Sequence, residues 1–245
     1  MDEAATGDRT YWELVAETRW GTYITQRQEH ALVGALHSRG VGTALELGCE
    51  GGRWSALMHA RGWDVICTDV DAESLARCQT RIPDARCTLV EPDAEVVPVD
   101  SGSVQLLLVY EVRPVIESEW FASEARRVLA PGGMLVCSYW NRRSIRGAVF
   151  RALSLVESAR KRGRARTFDA YYRGAPYSTF RSTLRAHGFR IEREEGICWF
   201  PFRRSSNSAL IPAAVATERL LGLRRMPTVS PWVLCVAALD PDGDL

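Results

Sequence analysis

The stretch "ALELGCEGGRWSALM", residues 44–58, decides how the rest of the chain is read. An apolar run ends at Gly48, glycines recur at 51 and 52, and Trp54, Leu57 and Met58 then share one helical face. A strand, a tight loop and a helix in that order present free N–H groups and the positive end of a helix dipole to a ligand. Only glycine lets a ligand approach the backbone so closely. The Gly48-x-x-Gly51-Gly52 spacing departs from G-x-G-x-x-G, and Glu50 stands where many such loops carry a middle glycine. By itself the pattern is also that of a tight structural turn.

Working outward, strand-like and helix-like segments alternate. "DVICTDV" (64–70) reads as the next strand, followed by "DAESLARCQTRI" as a helix that Asp71 can cap. "ARCTLVEP" (85–92) is a third strand, and "SVQLLLVYEV" (103–112) is the most apolar run and a central strand. "SEWFASEARRVLA" predicts an amphipathic helix stopped by "PGG" (131–133), with "MLVCSYW" (134–140) as a fifth strand. Strands spaced by helices imply right-handed crossovers and a mostly parallel, doubly wound sheet covered on both faces. Beyond Trp140 the chain turns polar and basic, with a helix expected at 144–162. Helix, Gly188 and strand return over 180–197, an aromatic and arginine-rich insertion covers 198–230, and "PWVLCVAAL" (231–239) is the last strand.

With 245 residues and 46% hydrophobic content, the chain can bury one sizeable core, with or without a lid. A formal net charge of +1 selects no partner. The polar N-terminus carries no signal-peptide pattern and no run is long enough to span a bilayer, so a cytoplasmic location is expected. The seven cysteines show no C-x-x-C spacing and lie mostly in apolar runs, which predicts buried free thiols in a reducing compartment and no metal site. The four histidines suggest packing or surface positions.

Asp69 ends the second strand, where a carboxylate can accept both hydroxyls of a ribose. Coupled to the glycine loop it reads as a ligand group, whereas Asp71 reads as the helix cap. "LELGCEGGRWSALM", "VICTDVDAESLARC", "PDAEVVPVDSGSVQLLLVYEV" and "EARRVLAPGGMLVCSYW" together resemble, in order and spacing, the class I S-adenosylmethionine-dependent methyltransferases of the small-molecule branch. The likeness covers residues 43–140 well and 176–239 loosely. It implies a Rossmann-like α/β fold with a seven-stranded sheet, a last strand antiparallel in a hairpin of 189–195 with 232–239, an N-terminal helical lid and an insertion after strand five. The implied organisation is a lid at 1–40, a cofactor-binding core at 41–140, a basic helical cap at 141–180 and a completion of the sheet at 181–245.

The resemblance also implies roles. Glu46, Gly48, Cys49 and Gly52 would shape the loop beside the methionine and ribose of S-adenosylmethionine. Asp69 would hold the ribose hydroxyls, Val70 would pack on the adenine, and Asp93 with the Ala94 backbone would read its edge. Val109 and Tyr110 would face the methionine amino group. Gln105 departs from an aspartate common in relatives. A phosphate-free, cationic cofactor tolerates a carboxylate at Glu50; the alternative reading has this side chain pointing to solvent.

Glu111 and Tyr110, just after the fourth strand, are the candidate catalytic groups, with Glu111 also a substrate contact. The alternative for Glu111 is pairing with Arg113 or a capping role. The aromatic N-terminus is expected to lie across the cofactor mouth. There Arg19 and Tyr23 are candidate cofactor contacts and Trp20 a substrate contact, although an aromatic stripe also serves packing. Trp140 and Tyr172 are candidate substrate-wall residues, with Tyr171 and Tyr177 beside them. The basic segment 142–166 has three readings: a solvated helix face, a membrane-surface helix or a polyanion contact, with nucleic acid ranked last.

The expected function is methyl transfer to O, N or C of a small molecule, leaving S-adenosylhomocysteine. Alternatives are a lipid-linked or quinone-like acceptor at a membrane surface and a non-catalytic S-adenosylmethionine-binding protein. Monomer and homodimer are both compatible with the sequence.

Overall fold

A computed structural model describes residues 9–38, 40–148 and 175–241 of the chain. Strands β1 (Thr43–Leu47), β2 (Asp64–Asp69), β3 (Arg86–Leu89), β4 (Val104–Val109), β5 (Leu129–Trp140), β6 (Phe189–Ile197) and β7 (Trp232–Leu239) form one seven-stranded sheet in the order β3-β2-β1-β4-β5-β7-β6. The pairings among the first five strands are parallel, while β7 runs antiparallel to both β5 and β6. The order reverses between β1 and β4. Ligands of open α/β sheets sit at that crevice, beyond the carboxyl ends of the strands.

Period-two alternation sends side chains to two cores. From β4, Leu106 and Leu108 join a cluster with Trp20, Leu32, Trp54 and Met58, whereas Leu107 and Val109 join one with Ile116, Phe121, Tyr177 and Leu184. The first face is covered by α2 (Arg19–His37), α3 (Arg53–His59), α4 (Ala72–Arg81) and the insertion before β7. The second is covered by α5 (Arg113–Ile116), α6 (Phe121–Val128) and α7 (Tyr177–Ala186). Within the insertion, α8 (Ile211–Leu220) contributes the buried Ile211.

Two local expectations change. The "PGG" at 131–133 does not separate a helix from a strand: α6 ends at Val128 and β5 already begins at Leu129, opposite Val104, with a register shift before Leu106. Gly133 packs against main chain, since a Cβ there would lie 2.8 Å from the Ala130 carbonyl oxygen. The N-terminal region holds two helices rather than a single one. The short α1 (Tyr11–Ala16), opened by a Thr10–Glu13 capping box, packs against the start of α2, where a Cβ on Gly21 would meet the Val15 carbonyl oxygen; the α2 residues Trp20, Tyr23, Ile24 and Leu32 are built into the main core.

Asp71 caps α4, accepting from the Ser74 N–H at 2.9 Å, as its sequence context implies. Gln105 has a structural role: its side-chain oxygen accepts the Thr43 N–H at 2.7 Å and satisfies the start of β1. The helix expected at 144–162 is seen at 145–148, and the rest of it lies outside the described residues. Among the described residues no helix is long and apolar enough to cross a membrane.

Candidate functional site

The loop between β1 and α3 turns through three left-handed residues, Gly48 (φ 70°), Glu50 (φ 50°) and Gly52 (φ 72°). Two of them must be glycine for steric reasons. A Cβ on Gly48 would lie 2.5 Å from Val112, after β4, and one on Gly52 would lie 2.5 Å from the Cys78 sulfur. The loop therefore packs directly on the chain leaving β4, at the crevice where the strand order reverses. Its amides are fixed from below: the Gly48 and Cys49 N–H groups both donate to the Thr68 carbonyl, at 2.8 and 3.0 Å.

Asp69 has a double position. Its carboxylate accepts the Glu50 N–H at 2.8 Å through one oxygen and the Asp71 N–H at 3.1 Å through the other. Each oxygen retains a second lone pair, so the half-buried group can still accept two hydroxyls. Beside it Val70 is 55% and Leu89 54% exposed, an unusual amount for apolar side chains at strand ends, and together they offer a flat apolar surface. Asp93 is exposed on the following turn, where the Ala94 N–H is engaged by the Glu91 carbonyl at 3.0 Å. A carboxylate with two free lone pairs, an exposed apolar pair and a peripheral acid form a set whose chemistry fits an adenosine.

Glu46 lies beneath the loop, 3% exposed, accepting from the Ser55 hydroxyl at 2.5 Å. Burial pushes its carboxyl up to about 8, against the opposing effect of that hydrogen bond. Glu50 does not point to open solvent. Its carboxyl is raised by burial and opposed by hydrogen bonds from Thr10 and the Trp12 main chain, so it faces the amino end of α1. Thr10 also stands over Gly51, where a Cβ would meet its methyl at 2.6 Å. The residue that replaces a middle glycine thus holds α1 down on the loop, while its left-handed φ stores about 1–2 kcal/mol of strain.

On the other side of the crevice stands Glu111, also left-handed at φ 63°. Its N–H donates to Ser138 Oγ at 2.9 Å. Its carboxylate accepts from Trp140 Nε1 at 3.2 Å and from Gln28 Nε2 at 3.3 Å. It pairs with Arg204 at 3.5 Å, whereas Arg113 pairs with Glu117 at 3.0 Å. Burial raises the Glu111 carboxyl above the ordinary carboxylate range, with Arg204 and Trp140 opposing. The Arg204 guanidinium carbon lies 4.6 Å from the ring centres of Trp12 and Trp140 and 5.0 Å from that of Trp232. Arg204 is therefore held in a three-tryptophan cage against a buried carboxylate. The segment carrying it is tied to the α1–α2 junction, with Trp20 N–H donating to the Ser206 carbonyl at 3.1 Å.

Other sequence candidates fall elsewhere. Tyr110 is buried and donates its hydroxyl to the Gln28 carbonyl at 2.8 Å, and burial raises that phenol well above its usual range. It joins β4 to α2. The Val109 side chain is fully buried in the second core, leaving only its main chain for a ligand. Trp20, 1% exposed, packs between Tyr23 and Phe202. The Tyr23 hydroxyl donates to the buried Glu218, which Arg224 pairs at 3.0 Å. Arg19 is exposed on the first turn of α2, its N–H on Asn207. Tyr177 is buried with its hydroxyl on Glu194 at 2.6 Å. Tyr171, Tyr172 and most of the basic segment, from 149 onward, lie outside the described residues.

Arg204, Ser138 and Gln28 were not legible as site residues, although the arginine-rich, aromatic 198–230 region was visible as a distinct insertion. The structure also gathers Cys49, Cys67 and Cys78, whose sulfurs all lie within 4.8 Å of one another, a grouping that linear spacing does not reveal. A cleft of about 580 Å³ lined by Thr43, Arg86, Ser103 and Arg127 opens at the amino ends of the strands, opposite the expected ligand side.

This sheet order, with the glycine loop and the Asp69 carboxylate at the crevice, defines the fold of the class I S-adenosylmethionine-dependent methyltransferases. Residues 45–137 match the model of the methyltransferase domain family. Over 144 residues the chain is 31% identical to a Mycolicibacterium smegmatis protein named a probable S-adenosylmethionine-dependent methyltransferase, covering 56% of this chain and 51% of that one. It is 32% identical over 102 residues to an uncharacterized methyltransferase of Mycobacterium tuberculosis, covering 42% of this chain and 41% of that one. The chain thus spans about half the length, or less, of the curated relatives it matches. Among solved structures it is similar to the geranyl diphosphate C-methyltransferase of Streptomyces coelicolor A3(2), with a TM-score of 0.60 at 16% identity over 97% of this chain and 86% of that one. That likeness is one of fold.

Proposed function

We propose that the chain binds S-adenosylmethionine across the β1–β4 crevice and transfers its methyl group to a small-molecule acceptor held near Glu111. The observation that carries this reading is the grouping of the Gly48–Gly52 loop, Asp69, the exposed Val70–Leu89 plate and Glu111 along one end of the sheet. When bound, the cofactor supplies a methyl group on a sulfonium, ready for in-line displacement. The protein's own contribution is to hold, orient and dry the site. Asp69 would hold the ribose hydroxyls, and Val70 and Leu89 would flank the adenine. Glu46 would set the local field under the loop. Glu111, buried and raised, is the group suited to hold the acceptor or accept its proton at Oε1 or Oε2. Trp12, Trp140 and Arg204 roof this space, so admission of an acceptor requires α1 and the 204 segment to move. The acceptor atom of choice is one that a carboxylate in an aromatic cage can orient: a polar hydroxyl or amine on an apolar body.

Calorimetric titration with S-adenosylmethionine and S-adenosylhomocysteine tests the reading, with binding of both expected. No binding of either overturns it. Binding without turnover across a broad acceptor set favours the non-catalytic alternative.

A further inference from the structure

Directly beneath the glycine loop lies a group of thiols that methyl transfer does not use. Cys49 comes from the loop itself, Cys67 from β2 and Cys78 from α4. All three are buried, and their sulfurs lie within 4.8 Å of one another. Cys87, opposite Cys67 in the β2–β3 register, is only half-buried on the edge strand. The Ser55 hydroxyl stands 3.1 Å from the Cys67 sulfur. Three elements that are separate in the chain thus bring their sulfurs together, with Cys87 on the neighbouring strand beside them.

We propose that Cys49, Cys67 and Cys78, with Cys87 as a fourth donor at the sheet edge, bind a soft d10 cation of the zinc type. Sulfurs in a tetrahedral zinc site lie roughly 3.8 Å apart, as follows from Zn–S bonds of about 2.3 Å. The cluster reaches that spacing with sub-ångström to ångström shifts of side chains. Soft thiolates select such ions over magnesium or calcium. Binding releases one proton from each ligating thiol to solvent, so three thiolates around a divalent ion carry one net negative charge and four carry two. The same hydroxyl that supports Cys67 also supports Glu46, so Ser55 would orient the site from its second shell. The half-exposed Cys87 marks the entry, from the β3 edge of the sheet.

The site would act on the loop above it. The ion would tie Cys49 to α4 and β2, and Gly52 already rests against the Cys78 sulfur. Occupancy would therefore change how the loop presents its amides to a ligand. This coupling rests on the proposed cofactor reading, whereas the metal site itself does not.

The test is titration of the reduced full-length protein with Zn²⁺ against a chromophoric chelator, and with Cd²⁺ while following thiolate-to-metal charge-transfer absorption. One ion per chain is expected. Cys67→Ala and Cys78→Ala should each weaken binding at least roughly tenfold, and Cys87→Ser should weaken it less. Cys137→Ala, in a second buried pair with Cys235 across β5 and β7, should leave it unchanged. Circular dichroism of each variant checks folding, and Cys87→Ser keeps the test decisive if a core variant does not fold. Absence of stoichiometric binding overturns the proposal, as does binding that survives Cys67→Ala or is lost equally in Cys137→Ala. Cofactor calorimetry with and without Zn²⁺ separates the two readings. Metal binding without any cofactor binding refutes the methyltransferase reading and leaves the metal site standing. An unchanged cofactor affinity removes the coupling alone.

Discussion

Glu46 offers a quantitative test of how the loop meets a cation. Its carboxyl is held to about 8 by burial, against an ordinary 4.5. At pH 7 roughly nine-tenths of the molecules then carry the proton. The folded state binds this proton more tightly than the unfolded state, so stability is greatest below the unfolded value and is lost as pH rises from about 4.5 to about 8. Between the unfolded value and pH 7 the interval is about 2.5 pH units, a loss of order 3 kcal/mol. A bound sulfonium reverses the preference, because a nearby cation favours the ionised carboxyl. Titration with S-adenosylmethionine at pH 7 in phosphate, HEPES and Tris should therefore show release of about half to nine-tenths of a proton. S-adenosylhomocysteine, with its neutral sulfur, should release fewer. Affinity for the cation should rise between pH 6 and pH 8. Glu46→Gln should abolish the proton release and flatten the stability profile over the same range. Zero proton release with S-adenosylmethionine, or release undiminished in Glu46→Gln, refutes the reasoning.

Three further outcomes are expected. Arg204→Ala should destabilise by about 2 kcal/mol in denaturant melts, because it leaves the Glu111 carboxylate buried without its cation; combined with Glu111→Gln the loss should be less than additive. Glu50→Gly relieves left-handed strain but gains backbone entropy in the unfolded chain, so global stability should move by less than about 1 kcal/mol while amides of α1 exchange roughly tenfold faster; unchanged protection in α1 argues against the clasp. Asp71→Ala should lower stability by about 1 kcal/mol with little effect on cofactor affinity, whereas Asp69→Ala should weaken binding strongly, both read by calorimetry and melts.

Much of the fold was legible because its determinants are local and periodic. The alternation of apolar runs with amphipathic segments implies βαβ units, and "DAES" announces a capped helix from adjacent residues alone. The "PGG" was misread because a proline and two glycines usually break a strand. Here close packing of Gly133 on main chain lets β5 run through them. Glu50 was legible as a departure but not as a clasp, since its partners, Thr10 and Trp12, approach only when α1 settles on the loop. Glu111 was legible as a carboxylate at a strand mouth. Its true cation, Arg204, was not, because an adjacent Arg113 is the nearer partner along the chain and not in space.

The sequence by itself determined the strand–loop–helix at 43–58, the acid after β2, the mostly parallel sheet and the class of ligand that these features suit. Each follows from short-range spacing, which the backbone converts directly into geometry. Tertiary structure alone decided which groups share a site. It put Arg204 among three tryptophans on Glu111, put Trp20 and Tyr23 into the core, and drew Cys49, Cys67 and Cys78 together beneath the loop. These pairings join residues far apart along the chain, and their energies depend on burial and distance, which exist only once the sheet and its covering helices have closed.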